Sequence, residues 1–276
     1  MRKRRFAAWL ALAVGCALAG CLGERTTGGT LALETTEPEE AEVQEEILVA
    51  VAASLKNAYE EALIPMFEAQ HPGIKVEGVY DSSGKLQVQI EEGLEADVFM
   101  PASKKQMEAL EKSGMIDSET VVDLLENRMV LIVPAGRDGR LASFEDIQKA
   151  GSIALGDPGS VPAGQYAKEA LENLGLWEGI RDRASLGTNV TEVLNQVASG
   201  SADAGVVYAT DAAGMEGRVK IVAEAPRGSL PGRIIYPAAV TTHSAHKETA
   251  ERFVRFLQTK EALGVFKSYG FLAGEG

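Results

Sequence analysis

Apolar runs of strand length, each followed by a helical pattern, constrain this 276-residue chain more than any other feature. "ILVAVA" (Ile47–Ala52) holds no polar residue, as a strand covered on both faces requires, and "RMVLIV" (Arg128–Val133) reads the same way. "IKVEGVY", "ADVFM", "SIAL", "DAGVVY", "VKIVAEA" and "RIIYPAAVT" give further strands. Helical patterns fill the spaces between them. One runs from Leu55 to about Gln70, with Ser54 at or near its N-cap and Pro65 predicting a kink or break. Another places Leu86, Ile90 and Leu94 on one face, and "SKKQMEALEKSG" has Ser103 as cap and Gly114 as stop. "SFEDIQKAG" reads as a short capped helix, and Val190 to about Ser199 as a helix with Asn189 as cap and Gly200 as stop. Two more close the chain, over about 245–259 and 260–269. This alternation predicts α/β layers with parallel pairing, and the length suits two sheets of about a hundred residues each.

Open α/β sheets bind ligands beyond the carboxyl ends of their strands. The loops at those ends are "AAS", "DSSG", "GDPGSVPAG", "GTN" and "VVYATD". The third poses the sharpest question. Its helix opens on Pro162, Ala163 and Gly164, which cap poorly, and Asp157 is the only charged side chain before Lys168. Small residues there leave the first backbone N–H groups bare. Ser54, Ser82, Ser83, Val190 and Tyr208 stand at similar strand-to-helix edges and add hydroxyls or N–H groups but no positive charge. A helix N-terminus carries about half a positive charge and unsatisfied donors, so several that converge make an anion site without Lys or Arg. On this reading the ligand is the missing cap. Taken singly, a serine at a helix start is a cap and Tyr208 a half-buried core aromatic; five such features on one set of edges favour a ligand.

The chain carries a formal net charge of −13. Losing Arg2, Lys3, Arg4 and Arg5 with a cleaved leader would lower it by four more, which excludes nucleic-acid binding through bulk electrostatics. That leader is "MRKRR" followed by the apolar "FAAWLALAVGCALAG", too short to span a bilayer, which takes about 20 apolar residues. "LAGC" (18–21) resembles the bacterial lipobox. That resemblance implies a lipoprotein signal peptide over 1–20 and lipid on Cys21; "RR" before "FAA" leaves a twin-arginine route open. Residues 21–46, rich in Thr, Gly and Glu, are expected to form a disordered acidic tether. Cys16 falls within the leader, so the mature domain has neither a disulfide nor a thiolate metal site.

"VAVAASLKNAYEE", "YDSSGKLQVQIEEGLEADVFMPAS", "VLIVPAG", "LGDPGSVPAGQYAKEALENLGLW", "GVVYATDA", "IIYPAAV" and "FKSYGF" together resemble the substrate-binding protein of the bacterial molybdate ABC importer. The similarity runs from Ile47 to Phe271. It implies the two-lobe type II periplasmic-binding-protein fold, with a cleft between two α/β domains. The first lobe would comprise 47–127 plus 237–276 and the second 128–236, with "NRMVLIV" and "RIIYPAAV" as crossing segments. Carried over by residue, the oxyanion-binding set falls on Ser54, Ser83, Ala163, Val190 and Tyr208. The two serines would offer hydroxyl and backbone donors, Ala163 and Val190 backbone N–H, and Tyr208 its phenol. No side chain would ligate metal directly, because molybdenum is bound as the oxyanion. Asp81 departs from the pattern, standing where the family usually has a small neutral residue.

The expected function is therefore an extracytoplasmic, lipid-anchored monomeric receptor. It would bind molybdate or tungstate, deliver it to an ABC import permease, and need no cofactor. The alternative is a receptor for sulfate, phosphate or another small oxyanion; Asp81, able to accept a hydrogen bond from hydrogen phosphate, favours it. A hydrolase would need a base for its nucleophile. His71 lies in a turn, and His243 and His246 lie at a helix entrance away from the cleft loops. No His, Cys and carboxylate cluster reads as a metal site, and nothing resembles a P-loop.

Overall fold

The computed structural model describes residues 45–136 and 139–274. The predicted signal peptide, Cys21 and the tether as far as residue 44 lie outside the described residues. Among the described residues, no helix is long and apolar enough to cross a membrane.

Two sheets organise the chain. The first holds β1 (Glu45–Ala52), β2 (Ile74–Asp81), β3 (Val98–Met100), β4 (Val122–Asn127), β10 (Ile234–Val240) and β11 (Leu272–Ala273), in the order β11-β4-β10-β3-β1-β2. The second holds β5 (Met129–Pro134), β6 (Ile153–Gly156), β7 (Ala184–Gly187), β8 (Ala204–Tyr208) and β9 (Val219–Glu224), in the order β7-β6-β8-β5-β9. Only Arg128 separates β4 in one sheet from β5 in the other, and the chain returns between β9 and β10. This is the mixed α/β, two-lobe architecture expected.

Pairing is not parallel throughout. β1 pairs parallel with β2 and β3, and β6 with β7 and β8. β10 is antiparallel to β3 and β4, and β5 is antiparallel to β8 and β9. The crossing explains part of this. β4 leads out of the first sheet and β10 leads back in, so two neighbours entering and leaving by the same edge must run in opposite senses. β1 already includes Glu45, two residues before the apolar run; Glu45 donates its N–H to Gly73 O at 3.1 Å and accepts from Thr249 Oγ1 at 2.6 Å. β2 extends through Asp81, which lies opposite Ala52 rather than in the loop. β4, β7 and β11 escape the pattern search because "VDLLEN" is interrupted by charge and the other two are short.

Pro65 does not end its helix. The chain winds through Ala53–Leu55, Lys56–Ala58, a π-turn at Tyr59–Leu63 and then Ile64–Gln70. Ile64 N–H bonds to Tyr59 O, five residues back, and this wider turn admits a proline that has no N–H and crowds the carbonyl below it. "SFEDIQKAG" becomes a 3-10 turn, Glu145–Lys149, with no serine cap; instead the Asp146 carboxylate accepts from the N–H groups of Ala142 at 2.8 Å and Ser143 at 3.3 Å. Ser103 caps the Lys104–Lys112 helix and Asn189 the Val190–Ala198 helix, and Gly114 and Gly200 follow their helices with positive φ, as predicted.

The helix that opens on Pro162, Pro162–Asn173, presses against the end of β6. A Cβ on Gly164 would lie 2.1 Å from Gly156 O and 2.4 Å from Gly156 C, both backbone atoms that cannot swing aside. Glycine at this position is thus required by packing as well as by any demand for bare N–H groups. Gly164→Ala should destabilise the protein by about 1–3 kcal/mol, the cost of overpacking, despite alanine's higher helix propensity. Denaturant unfolding measures it, and an unchanged midpoint would show that the helix shifts freely off β6.

Candidate functional site

Ser54, Ser83, Ala163, Val190 and Tyr208 line one cavity between the two sheets, together with Asp81, Ser82 and Ala102. β1 leads into Ser54, β2 into Ser82 and Ser83, β6 into the loop before Ala163, β7 into Val190, and β8 ends on Tyr208. Each position thus lies beyond the carboxyl end of a strand, as the α/β rule requires. The first sheet contributes two of these edges and the second three.

The helices at this point meet it largely without side-chain caps. None acts at the start of the turn containing Ser54, at Ser82 before the Ser83–Glu91 helix, at Val161 before Pro162–Asn173, or at Tyr208 before Ala209–Ala213. Ser54 is not the N-cap its position suggests. It sits inside the 3-10 turn, and its Oγ lies 3.2 Å from Tyr236 Oη. At the Val190 helix, Asn189 Oδ1 takes only the Glu192 N–H, at 2.9 Å.

The hydroxyls are arranged to donate. Ser83, fully buried, accepts from Ala102 N–H at 3.0 Å, which leaves its own proton free. The Ser82 hydroxyl is buried with no hydrogen-bond partner, which in a folded protein calls for an explanation. Tyr208 Oη reaches Ala102 O at a long 3.4 Å and lies against the Tyr236 hydroxyl. Burial above all pushes the phenols of Tyr208 and Tyr236 well above their ordinary value of 10.0, so both hydroxyls keep their protons at neutral pH.

No Lys or Arg lines the cavity; Asp81 is its one carboxylate. Asp81 Oδ1 is committed, accepting from Ser82 N–H at 2.7 Å and facing Lys85 Nζ at 3.4 Å. The cavity's volume is about 10 Å³. That is far below the roughly 300–1,000 Å³ typical of pockets for organic ligands. A larger recess of about 620 Å³ shares Ala53 with it and is lined in part by Lys56, Tyr80, Asn189 and Arg218. Chemically, the cavity offers a small cluster of neutral donors with one carboxylate, Asp81, at its edge. Among the described residues, no group of three or more His, Cys, Asp or Glu side chains converges as a metal site would need.

Sequence reasoning overlooked the support behind these donors. Asn127, buried at the end of β4, donates to Thr210 Oγ1 at 2.9 Å and Tyr236 Oη at 3.1 Å, and its own Oδ1 accepts from Arg128 N–H at 2.8 Å. It ties the crossing point to both lobes and, through Tyr236, to Ser54. Tyr236 and Tyr208 meet edge to face with centroids 5.6 Å apart. An asparagine directly before "RMVLIV" was the available signal, but nothing local marks it as a tie between sheets. Asp211 lies close behind. The residue retains some exposed surface, yet its Oδ2 is shut off from solvent without a partner, and burial raises its carboxyl to about 7, opposed in part by a backbone hydrogen bond at Tyr208.

The family model described as bacterial extracellular solute-binding protein matches residues 47–272. YvgL of Bacillus subtilis, provisionally named an ABC transporter substrate-binding lipoprotein, is 39% identical over 227 residues, 82% of this chain and 86% of that protein. The molybdate-binding protein ModA of Haemophilus influenzae is 34% identical over 232 residues, 82% of this chain and 90% of that one. Among solved structures, the substrate-binding domain of a provisionally assigned molybdenum ABC transporter from Clostridium difficile has a TM-score of 0.66 and 34% identity, covering 84% of this chain and 100% of that one.

Asp211 gives a pH prediction. Its folded carboxyl is raised above the unfolded value of 3.8, so the folded state binds the proton more tightly. The cost of ionising it is absent at low pH, grows as pH rises from about 3.8, and is complete above about 7. Asp211→Asn should therefore raise the melting temperature at pH 8 and raise it less at pH 5. A gain that is the same at both pH values would mean that Asp211 is ionised throughout.

Proposed function

Since the chain belongs to the bacterial extracellular solute-binding protein family, we propose that the cavity between its lobes binds molybdate, and tungstate alongside it, for delivery to an ABC import permease. The observation that carries this reading is the donor set: Ser54, Ser83, Ala163, Val190 and Tyr208 come together from both sheets around a space that excludes organic ligands. A fully deprotonated tetrahedral dianion wants donors only. Bare helix N-termini and neutral hydroxyls supply them, and ionic screening over about 8–10 Å weakens the chain's distant carboxylates. The names of the relatives support the same ligand. In this reading the first lobe is 47–127 plus 237–276 and the second is 128–236, and the protein is a monomer.

Phosphate and sulfate are the second reading, and Asp81 is the observation that favours it. Its carboxylate lines the cavity and could accept a hydrogen bond from hydrogen phosphate. Its Oδ1 is already satisfied by Ser82 N–H and Lys85, which weighs against that role. Calorimetric titration of the untagged domain with molybdate, tungstate, sulfate and phosphate at neutral pH decides between the readings. Molybdate and tungstate should bind and phosphate should not; phosphate binding as tightly as molybdate overturns the donor-only site. Ala163→Asp should abolish molybdate binding, because the carboxylate would take the bare N–H groups for itself and repel the dianion. Since Ala163 is buried, the helix-terminus gain is set against the cost of burying a charge, and the empty protein should be no more stable than the original. An Ala163→Asp protein that binds like the original removes Ala163 from the site.

The receptor is further proposed to be held at the membrane by lipid on Cys21, with the acidic segment after it as a leash. "LAGC" motivates this, and the provisional lipoprotein name of YvgL supports it. Cys21→Ala should move the protein from the membrane fraction to the soluble fraction with ligand binding intact. A wild-type protein that is soluble with an unmodified mature N-terminus would rule the anchor out.

A further inference from the structure

Gly84 is the second residue of the Ser83–Glu91 helix and directly follows a cavity-lining serine. No turn or positive φ calls for glycine here. Glycine inside a helix is unfavourable relative to alanine, so something else must hold it. Its N–H donates to the carbonyl oxygen of Ser160, at 2.9 Å, and Ser160 belongs to the loop that precedes Ala163 on the other lobe. A Cβ on Gly84 would stand 2.4 Å from that oxygen and 2.8 Å from Ser160 Cα. The two lobes therefore meet backbone to backbone at the rim of the cavity, at a separation only glycine permits.

Neither side of this contact yields easily. The Asp157 carbonyl accepts from Ser160 N–H at 3.1 Å and from Val161 N–H at 2.8 Å, and Asp157 N–H is tied to Gly187 O at 2.9 Å. The Asp157 carboxylate accepts from Gly159 N–H at 2.9 Å. On the opposite side, Ala102 N–H holds the Ser83 hydroxyl. Two contacts beside it across the gap are longer and rest on side chains: Gln106 Nε2 to Gln165 Oε1 at 3.3 Å, and Tyr208 Oη to Ala102 O at 3.4 Å.

We propose that Gly84 is the residue that sets how closely the lobes shut on the bound anion, and hence how long the anion stays. The proposal rests on the oxyanion-receptor reading. Gly84 touches no ligand: its N–H is spent on Ser160, and its missing side chain is what lets Ser83 and Ala163 reach the same ion from opposite lobes. Any side chain at this position would wedge the rim open while leaving each lobe's own donors intact.

The test compares wild type, Gly84→Ala and Gln106→Ala, using molybdate and tungstate as probes in calorimetry and stopped-flow dissociation, with melts of the empty proteins. Gly84→Ala should bind at least about tenfold more weakly, through faster dissociation, while its empty form still unfolds cooperatively and melts at most a few degrees lower, because alanine's better helix propensity offsets part of the overpacking against Ser160. Gln106→Ala loses a cross-lobe contact without adding a wedge and should stay within about threefold of wild type. X-ray scattering should show less compaction on adding molybdate for Gly84→Ala than for wild type. Binding of Gly84→Ala within twofold of wild type overturns the proposal. So does a weakened variant whose empty form no longer unfolds in one cooperative transition, since the loss would then come from folding. If wild type itself binds neither anion, it is the oxyanion reading that fails, and the role of Gly84 in gripping an anion falls with it.

Discussion

On the proposed reading, everything at the cavity depends on bringing backbone N–H groups from two separate sheets toward one anion without any positive side chain. Backbone donors are short and fixed, so they reach a common ligand only if whole elements approach closely. That requirement accounts for the small residues around the site. Gly164 lets the Pro162–Asn173 helix lie against Gly156, and Gly84 lets the lobes touch through main-chain atoms. A lysine could have reached the same ion across several ångströms and would have made neither approach necessary.

The neutrality of the site has a second consequence. Donors that are already hydrogen-bonded elsewhere are of no use to a ligand, so the surrounding structure must take up the acceptors. Ser83 accepts from Ala102 N–H and is left with a proton to give. Tyr236, held by Asn127 and close to Ser54, supports the floor of the cavity without lining it. Burial keeps the phenols protonated, so their role as donors does not change with pH in the neutral range. The same burial leaves Asp211 Oδ2 without a partner just behind the site. A carboxylate in that position adds no donor and costs stability once ionised.

Asp81 shows how local chemistry can blunt an apparent mismatch. A carboxylate at a donor-only cavity looks like a signal for a protonated ligand. Placed at the last residue of β2, it instead accepts from the next N–H and faces Lys85 one turn later. The charge is partly answered within its own segment.

The sequence by itself determined the α/β class, most strands, the caps at Ser103 and Asn189, and the five edge positions now found around one cavity, because hydrophobic period, cap residues and helix starts are local properties. Motif resemblance added their grouping. Only the tertiary structure decided the mixed pairing, since strand direction depends on how the chain crosses between sheets at Arg128 and returns, which no single window records. It also decided that Ser54 bonds to Tyr236 rather than capping a helix, that Pro65 is absorbed by a π-turn, and that Asp81 ends a strand. Gly84 and Gly164 are the clearest cases: each reads locally as a weak helix residue, and only the backbone of a distant segment, 2.4 Å and 2.1 Å from where a Cβ would stand, gives the reason for glycine.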